Sequence, residues 1–155
     1  MAGAHQDVVP GDGAKPAKGA ADRGRGQVQS LGRAHQTSLD GALAGTGQAQ
    51  PGHDPELAKR MGSAFAAMTN SALYVRVSVP VTHQLAQVAA GRMDLHWQFD
   101  NVRSHAAGVL LVQEAGGVVT DIEGKPWELA GESYLAAAPG VHAAALEVLS
   151  AWAVG

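Results

Sequence analysis

The sequence has no cysteine, which excludes disulfides, zinc ribbons, iron–sulfur sites and cysteine nucleophiles. Aromatic residues make up only 5% of the chain, and the first of them is Phe65. No apolar run reaches the roughly 18 residues that a membrane-spanning helix needs. Met1 to Pro10 has no basic start followed by an apolar run, so no secretory signal is expected there. A surplus of basic charge is missing too. Eleven Lys and Arg face 14 Asp and Glu, a net charge of −3, which argues against nucleic-acid binding through phosphate contacts. A cytoplasmic protein is the expectation.

What remains is 155 residues, one domain's worth of chain with enough length to bury a core. The composition is uneven. Residues 1–36 are rich in Gly, Gln and Ala and lack leucine before Leu31. They carry five cations (Lys15, Lys18, Arg23, Arg25, Arg33) against three carboxylates (Asp7, Asp12, Asp22). Such a stretch buries too little apolar area to offset its ordering entropy. It is read as a disordered low-complexity tail, and 37–152 as the folded domain.

Within that domain the pattern alternates. Residues 38–47 (SLDGALAGTG) read as a short Gly-flanked strand. Asp54, Pro55 and Glu56 start a helix: Asp54 can cap, Pro55 suits the first position, and Glu56 suits the positive dipole end. Leu57, Met61, Ala64, Phe65 and Met68 then recur at helical spacing. The β-branched run 73–79 predicts a strand, 80–90 a helix opened by Pro80 and stopped by Gly91, and 94–99 a second strand. Ser104 predicts the N-cap of a helix over 105–115, closed by Gly116 and Gly117. Strands follow at 118–122 and 133–138, separated by a turn over 123–126. Pro139 opens a last helix through Ala151, with Val141, Ala145, Val148, Leu149 and Trp152 on one face. Strands and helices alternating in this way predict an α/β domain, a layered sheet covered by helices.

One block is more specific than the general pattern. Val88 to Gly117 reads VAAGRMDLHWQFDNVRSHAAGVLLVQEAGG, followed by VVTDIEGKPWEL and SYLAAAP. This resembles the C-terminal half of the inositol monophosphatase family, whose pattern runs VAAGRLD, WDxAAG, EAGG, VTDxxGxP and a strand ending AANP. Leu39 to Gly47 looks like the strand that opens this half, and the resemblance covers roughly 37–150. It implies a mixed sheet layered with helices. It also implies Mg2+-dependent hydrolysis of phosphate monoesters of inositol, sugars or related small metabolites.

In that family, clustered carboxylates hold magnesium ions that bind the phosphate and activate a water; magnesium demands hard oxygen ligands. Most ligands come from a Glu-Glu pair and a DPxDGT segment in the other half of the fold, and neither motif occurs in this sequence. Counting back from Glu114 places the Asp of WDxAAG at Ser104 and its Trp at Arg103. A neutral hydroxyl replaces a carboxylate there, so Ser104 is read either as a helix cap or as a substrate-side group. Asp100, four residues upstream, is the candidate metal ligand. Gln98 falls where some relatives carry a Glu that contacts a substrate hydroxyl; it is read as a polyol contact or as a strand-end polar residue. Arg76 falls before a GSAA-like turn, replaced here by Val79 to Thr82, and is the third substrate-side candidate.

His53, His83, His96, His105 and His142 form no HExxH or similar pair, so zinc is not expected. Ser104 and His105 are adjacent and point about 100° apart on a helix, which disfavours a nucleophile–base pair. No Gly-x-Ser-x-Gly elbow occurs. Trp97 and Trp127 are read as packing residues and Asp121 as a turn residue. Two rival readings stay open. One is a non-catalytic phosphatase-like module that packs on a second copy or a partner subunit. The other is an unrelated α/β binding domain.

Overall fold

The computed structural model describes residues 36–48, 54–100 and 102–151. The expected tail falls outside them, apart from Gln36, as does Trp152 of the expected helix face.

Among the described residues there are five strands and four α-helices: β1 (Leu43–Thr46), α1 (Pro55–Thr69), β2 (Tyr74–Val77), α2 (Val81–Ala89), β3 (Leu95–Phe99), α3 (Ala106–Glu114), β4 (Val118–Thr120), β5 (Ser133–Ala137) and α4 (Pro139–Ser150). The strands make one sheet in the order β2-β1-β3-β5-β4. β1 lies parallel to both β2 and β3, while β5 runs antiparallel to β3 and β4. This is the mixed, helix-layered sheet that the sequence predicts. No described helix is long and apolar enough to cross a membrane.

The period of two along each strand sorts side chains between two layers. Leu95, Trp97 and Phe99 of β3 join Leu135 and Ala137 of β5 in one apolar cluster, covered by Met61, Ala64 and Met68 of α1 and Ala145 and Leu149 of α4. On the other face, Tyr134 and Ala136 of β5 pack against Val81, Leu85 and Val88 of α2 and Val109 and Val112 of α3. All five residues of β3 and of β5 are buried, as expected of strands covered on both faces. Trp97 is fully buried and Trp127 half-buried against the second cluster, so both are packing residues.

Local chemistry sets the boundaries. The Asp54 carboxylate accepts from the backbone N–H of Glu56 and Leu57 at 2.9 and 3.3 Å, capping α1 as predicted. Gly91 (φ 65) and Gly116 (φ 88) take left-handed conformations just past α2 and α3, where a helix stop needs them. Asp121 holds the turn after β4: its Oδ1 accepts from the N–H of Glu123 (2.9 Å) and Lys125 (2.8 Å). That turn ends β4 at Thr120, two residues before the expected end of the strand.

Two expectations change. Residues 39–41 are a 3-10 turn rather than strand, because the Ser38 hydroxyl accepts from Asp40 N–H and draws the backbone into a cap. Ser104 is not the N-cap of α3. It sits inside a second 3-10 turn, Val102–His105, and the capping position falls to His105, which makes no side-chain capping bond.

Asp94, the last residue of the VAAGRMD motif, is 1% exposed and directly precedes β3. Its carboxylate accepts from Leu43 N–H at 2.7 Å, and its backbone carbonyl accepts from Ala138 N–H at 2.8 Å. One residue thus ties the strand to both of its neighbours, its carboxylate to the start of β1 and its backbone carbonyl to the end of β5. A hydrogen bond to a charged group contributes about 1.5–3 kcal/mol.

Candidate functional site

The carboxyl ends of the parallel strands β2, β1 and β3 lie together, where Ser78, Gly47 and Asp100 leave the sheet. The chain then turns into α2 and α3. In open α/β sheets this end is where small ligands gather.

Two buried glutamine amides build it. Gln84 of α2 is 2% exposed; its Nε2 donates to Ser78 O at 2.6 Å and Thr46 O at 3.2 Å, joining the ends of β2 and β1. Gln98 of β3 accepts from Gly47 N–H at 2.9 Å through Oε1 and donates to Phe99 O at 3.1 Å through Nε2. Glycines let these amides press onto the backbone. A Cβ on Gly45 would lie 2.5 Å from Gln84 Oε1 and 2.8 Å from Met93 Sδ, and one on Gly47 would meet the Gln98 amide and Val81.

Tyr134 pairs in register with Gln98 across β3 and β5. Its Oη stands 3.1 Å from Nδ1 of His96 and 3.5 Å from Nδ1 of His105. The His96 ring stacks on Tyr134, and the His105 ring meets it edge-on. Burial pushes His96 down to about 3, with nearby His105 adding to the effect. Burial also lowers His105 and raises the Tyr134 phenol. All three are therefore neutral at physiological pH. They pass hydrogen bonds along a row without holding charge.

The sequence candidates are dispersed around this end. Gln98 is there, with both ends of its amide on backbone groups. Ser104 is exposed in the turn that enters α3. Arg76 is exposed in the middle of edge strand β2, level with Gly45. Asp100 is exposed in a left-handed conformation (φ 60), which Asp tolerates better than most residues. Its N–H donates to Glu132 O at 2.7 Å. It lines a hollow of about 280 Å³ with Asp54, Leu57, Arg60, Phe99 and Glu132, so this hollow opens beside α1. The Arg60 guanidinium lies over the Phe99 ring there, 5.0 Å from its centre.

Magnesium does not fit the donor set. Among the described residues, no group of three or more His, Asp or Glu side chains is placed to hold a metal ion. Ser104, which the resemblance places at a metal-ligating aspartate, offers only a hydroxyl, with Arg103 beside it.

The Tyr134 row escaped the sequence reading. His96 and His105 drew attention there only as zinc or base candidates, and Tyr134 drew none. Polar residues at every second position of an otherwise apolar strand (His96, Gln98) were the available signal.

These features define a helix-covered α/β lobe with buried polar side chains at the carboxyl ends of its parallel strands. The inositol monophosphatase family pattern matches residues 18–152. Inositol-1-monophosphatase ImpA of Mycolicibacterium smegmatis is 53% identical over 66 residues, which cover 42% of this chain and 24% of that protein. Inositol-1-monophosphatase of Caulobacter vibrioides is 34% identical over 131 residues, covering 81% of this chain and 49% of that protein. Among solved structures, an IMPase from Thermotoga maritima shares the fold with a TM-score of 0.66 at 24% identity, over 76% of this chain and 44% of that one. The chain belongs to the inositol monophosphatase family. It spans about half, or less, of the length of these relatives, and corresponds to their C-terminal part.

Proposed function

We propose that this chain is the substrate-side lobe of a hydrolase for small phosphate monoesters, of inositol or a related polyol or sugar, and that unaided it has little or no magnesium-dependent turnover. Family membership supports the reaction class and the substrate class. The observation that carries the second clause is the donor set: a hydroxyl at the metal-ligand position and no metal-holding carboxylate group among the described residues. A two-metal hydrolysis needs carboxylates to seat the ions that bind phosphate and activate water. In this reading those carboxylates come from outside the described residues. The polar strand end, with Ser104 at the start of α3 and Arg76 on β2, serves the ester.

The test is phosphate release by the folded chain, with and without magnesium, over inositol 1-phosphate and a panel of sugar phosphates. The expected result is no magnesium-dependent release above background. Magnesium-dependent release that persists in Asp100→Asn overturns the proposal. Release abolished by that substitution also overturns it and assigns Asp100 to a working metal site.

A further inference from the structure

α3 is apolar on both sides. Gly108, Val109 and Val112 face the core. On the outer side Leu110 and Leu111 are 54% and 50% exposed, and Ala107, one turn earlier, is exposed as well. The polar residues of the helix, Gln113 and Glu114, come only at its end. A helix with water along one face carries polar residues there, and one that is apolar all round is covered. Solvent alone does not account for the outer face of α3.

Two charges indicate what covers it. Arg103 is exposed in the turn that leads into α3, and Glu114 is exposed as the last residue of the helix. Both stand at the wrong ends. A helix N-terminus carries partial positive charge and its C-terminus partial negative, so each residue opposes the dipole of its own helix. Neither has an ion-pair partner among the described residues. A second copy laid antiparallel on the first corrects both mismatches. Arg103 of each copy then faces Glu114 of the other, because a two-fold axis makes every such contact twice. Each charge also comes to the favourable end of the opposite helix. In the same register Ala107 of one copy meets Leu110 of the other, a small residue against a large one. We propose that the outer face of α3 is a self-complementary interface: two copies of this chain pair through antiparallel α3 helices, closing Leu110 and Leu111 between the two Arg103–Glu114 pairs. The pairing does not rest on the function proposed above.

Sedimentation equilibrium of the full chain over about 1–100 µM reads its mass, and the unaltered chain is expected to pass from monomer to dimer in that range. Arg103→Glu and Glu114→Arg each place like charges opposite one another at both ends of the interface. Each is expected to weaken dimerisation at least about tenfold. Both variants are expected to stay folded, because each brings a charge that its own helix dipole favours; circular dichroism checks this. Mixed in equal amounts, the two variants complement each other and form a heterodimer. The double variant Arg103→Glu, Glu114→Arg dimerises like the unaltered chain. A residue that only supports its own chain's fold would give no such recovery on mixing. A chain that is monomeric up to about 100 µM overturns the proposal and leaves the α3 face to a different polypeptide. A dimer that survives both single reversals also overturns it, and its loss in Tyr74→Lys, Val77→Lys then places the interface on β2. Dissociation in the single variants without recovery in the mixture or the double variant overturns the antiparallel pairing.

Discussion

Gln84 and Gln98 bury neutral amides at a strand end, while His96 and Tyr134 bury a ring nitrogen and a phenol that stay uncharged. Their cost appears when the solution turns acidic. His96 is lowered from 6.5 to about 3, first by burial and then by nearby His105; His105 and His142 are lowered by burial as well. Below 6.5 the unfolded chain takes up protons that the folded chain refuses, so the stability gained from neutral histidine is complete above 6.5 and drains away as pH falls toward 3. The slope contributed by His96 approaches about 1.4 kcal/mol per pH unit. Urea midpoints taken from about pH 7 down to about pH 4.5 are expected to fall, and to fall less steeply in His96→Phe. Equal slopes in the two chains count against this account. Beyond the polar alternation of His96 and Gln98 along β3, the row was not legible in the sequence. Tyr134 lies 38 residues from His96 and 29 from His105, and no local spacing marks residues that meet only when β5 pairs with β3.

At the scale of elements, glycine has opposite meanings in two helices. Gly108 lies where α3 crosses α2: a Cβ there would come 2.6 Å from Leu85 Cδ1 and 2.7 Å from Leu85 Cβ, an atom fixed to the α2 backbone. Gly108→Ala is expected to push the helices apart and cost about 1–3 kcal/mol. Gly62 in α1 has nothing within 4 Å of that position, so Gly62→Ala is expected to gain up to about 1 kcal/mol of helix propensity. Paired denaturant curves check both; a destabilised Gly62→Ala or a neutral Gly108→Ala contradicts the packing described. The elements themselves were largely legible, because Pro55, Pro139, Gly91 and Gly116 punctuate the chain where backbone geometry demands them. Boundaries set by side chains bonding to nearby backbone were harder to see. Ser38 converts an apparent strand start into a turn, and Asp121 cuts β4 short. Ser104 has the composition of a cap, but the 3-10 turn around it passes that position to His105.

For the molecule as a whole, the two edges of the sheet differ. β2 has a neighbour on one side only, and Leu73, Tyr74, Val77 and Val79 on or beside it are all exposed, Tyr74 by 68% and Val79 by 73%. An exposed apolar edge strand invites pairing between chains. The double variant Tyr74→Lys, Val77→Lys is therefore expected to remain folded and to tolerate higher concentration before light scattering rises. An unchanged threshold in the folded variant removes β2 as the source of association. The mixed-sheet class was legible from the alternation of strands and helices. The strand order was not, because β1 pairs with β3 rather than with β2 alone.

That order also sets a schedule. β1 is the first made of the described strands, yet it is the inner partner of both β2 and β3. The bonds that fasten its two ends, Leu43 to Asp94 and Gly47 to Gln98, each span 51 residues. During synthesis at ~5–20 residues per second, β1 waits roughly 2.5–10 s for β3 to be made. Until β2 emerges it has no partner among the described strands, and from then until β3 emerges it can pair only with β2, through the α1 crossover. The rhythm of translation between Gly47 and Gln98 therefore decides how long an unfinished sheet is on offer to chaperones.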